Sequence, residues 1–177
     1  TTAATEALAG RELATLAGSS EVLADRWLRD AVTSAAAIHA NSFVASLSND
    51  AVGIRAETAL MLRRVAEHIG RQRDAEAIEG LLGSIAKSKP DVASPLLVGL
   101  LAGVPANSGL KISEKTETEL LALAERLPTG ELSQLISLAG RFGSRAFESY
   151  AERVAESVLE ELQDIDRADD VRARAAE

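Results

Sequence analysis

One short phrase of residue types occurs three times in this sequence and constrains its fold more than any other feature. It starts with an aspartate, continues with apolar residues and an arginine, and ends with a small residue. An aspartate ahead of a helix accepts hydrogen bonds from the N–H groups of the first turn, and the arginine can reach back to a neighbouring acid. A repeated helix start implies a repeated helical unit. The residues of the phrase are Asp25, Trp27 and Arg29, then Asp50 and Arg55, and finally Asp170 and Arg172.

The composition favours helices along the whole chain. Of its 177 residues, 46% are apolar and only 3% are aromatic. Alanine and leucine dominate the apolar set; both have high helix propensity, and small side chains let helix axes approach closely. The sequence has no cysteine, so it has no disulfide and no thiolate metal ligand. We predict one all-α domain over residues 1–177.

Apolar spacing, prolines and glycines predict helices in antiparallel pairs. The later pairs start about 38 or 39 residues apart, which is the repeat length of two-helix HEAT-type units. Each pair needs its neighbours to bury its apolar surface, so we predict a HEAT-like α-solenoid, an α-α superhelix, of about four antiparallel helix pairs. The predicted helices cover residues 4–17, 25–37 with 40–48, 53–69 with 73–88, 92–104 with 114–127, 130–142 with 145–163, and a further start near 169.

Local signals mark the helix ends. Gly70 and Gly143 are expected at helix C-termini, where glycine readily adopts the left-handed conformation. Residues 116–119 read Thr-Glu-Thr-Glu, which is similar to a capping box at a helix N-terminus. These signals support the predicted boundaries.

Charge and hydropathy restrict the classes of partner. The net charge is −8; residues 1–90 carry 10 basic against 11 acidic residues, and residues 91–177 carry 9 against 16. The acidic second half opposes contact with the phosphates of nucleic acid. The longest apolar run, residues 95–105, is about half of what a bilayer-spanning helix needs and fits a buried helix. We therefore predict protein partners, with no nucleic acid and no direct membrane insertion.

Two segments resemble a known family. Residues 25–36 read DRWLRDAVTSAA, and residues 62–70 read LRRVAEHIG. They are similar to the HEAT-repeat region of the large membrane-bound-dehydrogenase-type proteins of planctomycetes and their relatives. In that family the region lies between a β-propeller and a c-type cytochrome domain with a Cys-X-X-Cys-His haem motif. The resemblance implies a fragment of a larger exported or periplasmic protein, in which the repeats separate neighbouring domains. Without a cysteine, haem attachment does not carry over.

The best candidate for recognition is a cluster of arginines. Arg63, Arg64, Arg71 and Arg73 surround the C-terminal part of one predicted helix and its turn, with His68 between them. Such a cluster can meet an acidic partner. The same cations also complement the helix dipole, so a solvated helix end is the alternative interpretation.

Other patterns favour structural roles over chemistry. Ser84 and Lys87 match the S-x-x-K pattern of serine acyl-enzymes but lack its companion motifs. His39 and His68 lie on different predicted helices without metal-ligand spacing. Trp27 is expected to pack between repeats rather than stack on a ligand. We predict no catalytic residue, cofactor or metal. Structural roles are also predicted for Asp164, Asp166, Asp169 and Asp170, for Gly80 with Gly83, and for Gly140 with Gly143.

These observations favour a non-catalytic scaffold that spaces or docks protein modules. An alternative is a HEAT-like DNA glycosylase or another nucleic-acid-binding helical repeat protein, which needs a cationic concave face and aromatic side chains. A third interpretation is a cytoplasmic adaptor without any connection to redox chemistry.

Overall fold

The computed structural model describes residues 2–48 and 53–163, which form ten α-helices and no strand. The all-α class is therefore confirmed for these residues. The helices are α1 Thr2–Gly18, α2 Ser20–Ala24, α3 Arg26–Ile38, α4 Ala40–Ser48, α5 Ala56–Gln72, α6 Ala75–Lys87, α7 Pro90–Gly103, α8 Glu114–Ala124, α9 Thr129–Arg141 and α10 Glu148–Gln163.

The predicted helices agree with the observed ones. The four predicted pairs correspond to α3 with α4, α5 with α6, α7 with α8 and α9 with α10, and the opening helix corresponds to α1. The five-residue helix α2 is not predicted; Ser19 caps it by accepting a hydrogen bond from the backbone of Val22. The helix predicted to start near residue 169 lies outside the described residues.

From α3 to α9, each helix packs beside the helix two places later or earlier in the chain. Helices α3, α5, α7 and α9 contact one another in that order, and so do α4, α6 and α8. At the two ends, α1 packs mainly against α4, and α10 packs against α9. The helices therefore form two rows, and contacts between consecutive helices join the rows.

A continuous core of aliphatic side chains runs from α1 to the start of α10. Burying one leucine-sized side chain contributes about 1.5–3 kcal/mol, so this core is the main source of stability. Its largest fully buried side chains are Phe43, Leu62, Ile78, Leu81, Leu82, Ile85, Leu96, Leu97, Leu100, Leu120, Leu123 and Leu135.

Helices α5 and α7 are in direct backbone contact because glycines face the crossing. A Cβ atom on Gly99 would overlap the carbonyl oxygen of Arg63, and one on Gly103 would overlap that of Glu67. From Gly99 to Gly103 and from Arg63 to Glu67 the sequence number rises by four, so α5 and α7 run parallel. Gly70, predicted to end a helix, instead lies inside α5, where a Cβ would be 2.9 Å from the backbone nitrogen of Val104.

Many polar bonds between helices join residues that are 33 to 41 positions apart. Near the end of the described chain, the bonds of Ser144 with Glu117 and of Tyr150 with Glu125 span 27 and 25 positions. The hydroxyls of Ser48 and Ser88 lie 2.7 Å apart, although the two residues are 40 positions apart in sequence. The buried Thr58 donates to the carbonyl oxygen of Ala17 at 2.8 Å. The longer bonds hold a helix in register with one about a predicted repeat earlier.

Three arginines satisfy carbonyl groups at the C-terminal ends of earlier helices. The last carbonyls of a helix have no partner within it and carry its partial negative charge, so a guanidinium there both donates hydrogen bonds and complements the dipole. The pairs are Arg29 with Leu23 of α2, Arg126 with Ala86 of α6, and Arg141 with Leu101 and Val104 at the end of α7.

The repeated sequence phrase marks one helix start among the described residues. Asp25 is the N-cap of α3 and accepts a hydrogen bond from the backbone of Trp27 at 2.7 Å, as predicted. Arg29 was expected to reach an acid, but its guanidinium donates to a backbone carbonyl instead. Arg55 is the N-cap of α5 and makes no side-chain cap bond, so the second phrase is not equivalent to the first. The remaining residues of the phrase, Asp50, Asp170 and Arg172, lie outside the described residues.

Candidate functional site

The four arginines predicted as a contact surface all have exposed side chains around α5. Arg63, Arg64 and Arg71 lie within the helix. Arg73 follows it as the C-cap, in a left-handed conformation with a φ of 57°. One element therefore carries all four, but their surroundings differ.

Two of these arginines are engaged within the chain. The Nη1 atom of Arg64 lies 2.9 Å from Oδ1 of Asp30 on α3, and Arg71 pairs with Glu67 one turn earlier. Exposed pairs of this kind contribute about 0.2–1 kcal/mol. Over the described ranges, Arg63 has no such partner. It is therefore the cation in α5 that is most available to another molecule.

Arg63 borders a largely apolar groove of about 600 Å³ between α5 and α7, which we call the α5–α7 groove. Leu60 stands in this groove with 58% of its surface exposed. A single exposed leucine is common on a protein surface, but a patch of adjoining apolar residues indicates an interaction site. Leu60 adjoins other apolar residues. Those neighbours are Ala56 and Ala59 of α5, and Pro90, Pro95 and Val98 of α7.

The carboxylates at the edge of the α5–α7 groove are already hydrogen-bonded. Asp91 accepts from the backbone nitrogen of Ile54 at 3.3 Å, and Glu131 accepts from the Ser94 hydroxyl at 3.5 Å. The groove thus has an apolar floor, a carboxylate on each of α7 and α9, and on α5 a cation without an ion pair among the described residues.

A second, larger groove of about 1050 Å³ runs over α6 between α4 and α8, and we call it the α6 groove. Its lining includes several small residues, whose short side chains leave space above the helix backbone. They are Ala45, Ser48, Ala75, Gly80, Gly83 and Ser84.

Glu79 joins α6 to the start of α8 at one side of the α6 groove. Its carboxylate accepts hydrogen bonds from the backbone nitrogen of Ser113 at 3.2 Å and from the Thr116 hydroxyl at 2.5 Å. Burial raises the pKa of Glu79, but the hydrogen bonds from Ser113 and Thr116 outweigh it and lower the pKa below its usual 4.5. Ser113, rather than Thr116, caps α8, so the predicted capping box begins three residues too late.

The S-x-x-K pair also lines the α6 groove, but its groups are engaged elsewhere. The Ser84 hydroxyl donates to the carbonyl oxygen of Gly80 at 3.1 Å. The Nζ atom of Lys87 lies 3.8 Å from Oε1 of Glu119 on α8. In this arrangement Lys87 is positioned as an ion-pair partner, not as a base for Ser84.

The two histidines have separate partners. His39 caps the C-terminus of α3, and its Nδ1 lies 2.8 Å from the Glu6 carboxylate on α1. The exposed His68 contacts the side chain of Gln72 at 2.9 Å. No group of three or more potential metal ligands occurs in the described ranges, and the predicted structural acids Asp164, Asp166, Asp169 and Asp170 lie outside them.

The expectation that Trp27 packs between repeats is wrong. Its side chain is 76% exposed, and the guanidinium of Arg26 lies 5.5 Å from the ring centroid. At the second position of α3 the indole points away from the neighbouring helices, which α3 contacts through Val32 and Ala36 instead.

Sequence reasoning missed Leu60 and Glu79. Leu60 looks like one more core position of an apolar helix, and only its structural neighbours show that it is exposed. Glu79 resembles any surface glutamate, because its partners lie 34 and 37 residues away.

Within 2–48 and 53–163, no helix is long and apolar enough to span a bilayer. A scan against protein-family models, a search of curated proteins and a search of solved structures each found no match to this chain.

Proposed function

We propose that this protein is a HEAT-like α-solenoid that acts as a non-catalytic scaffold and docks protein partners. The proposal is supported by the order of helix packing, because α1, α3, α5, α7 and α9 contact one another in that order, and so do α4, α6 and α8. A closed bundle would bring the first and last helices together, whereas serial packing produces an extended surface.

The register of the polar bonds is the observation that carries this proposal. Hydrogen bonds at separations of 34, 37 and 40 residues match a two-helix repeat of similar length. They hold neighbouring repeats at fixed positions, which is what a spacer between protein modules requires.

Partner contact is proposed for the exposed arginines of α5. Arg63 and Arg73 make no ion pair within the described residues, while Arg64 and Arg71 can exchange their present acidic neighbours for those of a partner. Electrostatic complementarity of this kind selects an acidic protein surface and accelerates its association. The family resemblance adds the proposal that the partners are neighbouring domains of an exported dehydrogenase or cytochrome-type protein.

Charge reversal tests the docking role. Arg63→Glu, alone and with Arg64→Glu, should abolish co-purification of a partner from the source cells while leaving the melting temperature within a few degrees. Lys115→Glu is the matched control, because this lysine is also exposed but lies at the α6 groove. Association that survives both reversals would remove the arginines from the proposal. Tight binding of DNA that weakens steeply with added salt would favour a nucleic-acid-binding repeat protein instead.

A further inference from the structure

The α5–α7 groove has the chemistry of a site for one particular kind of partner. We propose that it binds an amphipathic helix of a protein partner, which places an apolar side chain against Leu60 and a carboxylate one turn away against Arg63. This inference rests on the proposed docking function and specifies its partner.

The groove is preformed because its two walls cannot move independently. Gly99 and Gly103 bring the backbone of α7 onto the carbonyl groups of Arg63 and Glu67 in α5. Binding to a rigid site avoids the entropy cost of ordering it.

The apolar floor selects an apolar anchor. Leu60 is 58% exposed, and proline, valine and alanine side chains surround it. Covering these side chains releases water from apolar surface, which is the main favourable term in most protein association. An anchor such as leucine in the partner fits this floor.

The charge at the groove selects an acidic residue beside the anchor. Arg63 is exposed and has no ion pair within the part of the chain that the structure describes. Asp91 and Glu131, on the other side, already accept hydrogen bonds from the chain. Those donors are neutral, so both carboxylates keep their negative charge on α7 and α9, and the positive charge lies on the α5 side of the groove. A carboxylate complements it there, beside Leu60.

The shape of the groove favours a helix as the occupant. Two parallel helices form its walls, and a helix packs its side-chain ridge into such a groove. Leu60 and Arg63 are three residues apart, about 4.5 Å along the axis of α5. A partner helix matches that distance when its apolar anchor and its carboxylate are separated by three or four residues.

Two synthetic peptides test the proposal on the full chain. Each has about 16 residues, a fluorescent label and a leucine stripe at helical spacing. One carries glutamate a turn after the central leucine, and the other carries lysine there. Fluorescence anisotropy should show saturable binding of the glutamate peptide, at least about tenfold tighter than the lysine peptide. Arg63→Glu should reverse that preference.

Matched variants separate the groove from general adhesion. Leu60→Ala should weaken the glutamate peptide about tenfold. Leu159→Ala should change nothing, because this leucine is 55% exposed but lies on α10. Both variants should keep the thermal stability of the parent chain, since exposed side chains contribute little to it.

Three results would overturn the proposal. The first is no saturable binding of either peptide, and the second is equal affinity before and after Arg63→Glu. The third is a concentration-dependent dimer that Arg63→Glu dissociates, which would assign the groove to a second copy of this chain. If Arg63→Glu still abolishes partner co-purification while neither peptide binds, the helical partner is wrong but the docking function stands; if co-purification is also unaffected, both fail.

Discussion

The Nη2 atom of Arg126 donates a hydrogen bond to the carbonyl oxygen of Ala86 at 2.8 Å, across 40 residues of sequence. Ala86 lies in the last turn of α6, so the bond joins the end of one predicted repeat to the end of the next. Arg141 does the same at the end of α7. Carbonyls at the C-terminal ends of α6 and α7 are thus satisfied by arginines about 40 residues later, which couples helices that are distant in sequence.

Replacing Arg126 with methionine should therefore lower the free energy of unfolding by about 1 kcal/mol, because it leaves a carbonyl near the helix end without its charged donor. Arg145→Met is the control. Arg145 is exposed, and among the described residues it pairs with the exposed Glu148, so the substitution should change the free energy of unfolding by no more than about 0.5 kcal/mol. Urea denaturation followed by circular dichroism measures both. Equal effects would show that the bond from Arg126 to Ala86 does not stabilise the stack.

Gly99→Ala should lower the free energy of unfolding more than Arg126→Met does. The new methyl group overlaps the carbonyl oxygen of Arg63, so α5 and α7 must separate at a cost of about 3 kcal/mol. At Gly140 on α9, by contrast, the methyl group added by Gly140→Ala has no neighbouring atom within 4 Å. It should stabilise the protein by about 0.5–1 kcal/mol through helix propensity. If both substitutions change the urea midpoint alike, the direct backbone contact of the two helices is contradicted.

Much of the fold follows from local sequence. The four predicted pairs match α3 to α10 because leucine and alanine spacing, together with prolines and glycines, acts within single helices. The exposure of Trp27 and the place of Gly70 inside α5 depend on neighbouring helices instead. A pattern within one helix carries no information on which residue faces it from 34 or 40 positions away.

The candidate site also has features that follow from local sequence and features that depend on neighbouring helices. The sequence predicts Arg63 and Arg64 in one cluster around the C-terminal part of a helix, and both are exposed. Arg64 pairs with Asp30, while Arg63 has no ion pair within residues 2–48 and 53–163 and lies beside Leu60; the packing of α3 and α7 around α5 causes this difference. Because Arg63 and Arg64 are adjacent in sequence, the sequence alone does not show which of them is available to a partner.

Glu79→Gln should lower the free energy of unfolding by about 1 kcal/mol at pH 7, because the amide is a weaker acceptor for Ser113 and Thr116. The lowered pKa of Glu79 means that its contribution is present above pH 4.5 and is lost as the pH falls through the folded-state value. Wild type and variant should thus converge in acid. Parallel stability curves from pH 7 to pH 3 would contradict this role for Glu79.

The Glu6 carboxylate should hold α1 in place in a pH-dependent manner. Hydrogen bonds from His39 and Ser42 lower the pKa of Glu6. Its contribution is therefore complete above the usual pKa of 4.5 and disappears as the pH falls through the lowered value. Hydrogen exchange of α1 amides, corrected for intrinsic rates, should accelerate in acid before that of α5. In Glu6→Gln this extra acid sensitivity of α1 should be absent.

The most direct test of serial stacking uses the absence of cysteine from the chain. The Ser48 and Ser88 hydroxyls lie 2.7 Å apart. The double variant Ser48→Cys with Ser88→Cys should therefore form an intramolecular disulfide under mild oxidation. Mass spectrometry of the folded monomer detects it, and Ser48→Cys with Ser137→Cys on α9 should remain reduced. The account predicts nearly complete cross-linking of the first pair; a folded protein whose two thiols stay free would contradict the forty-residue register.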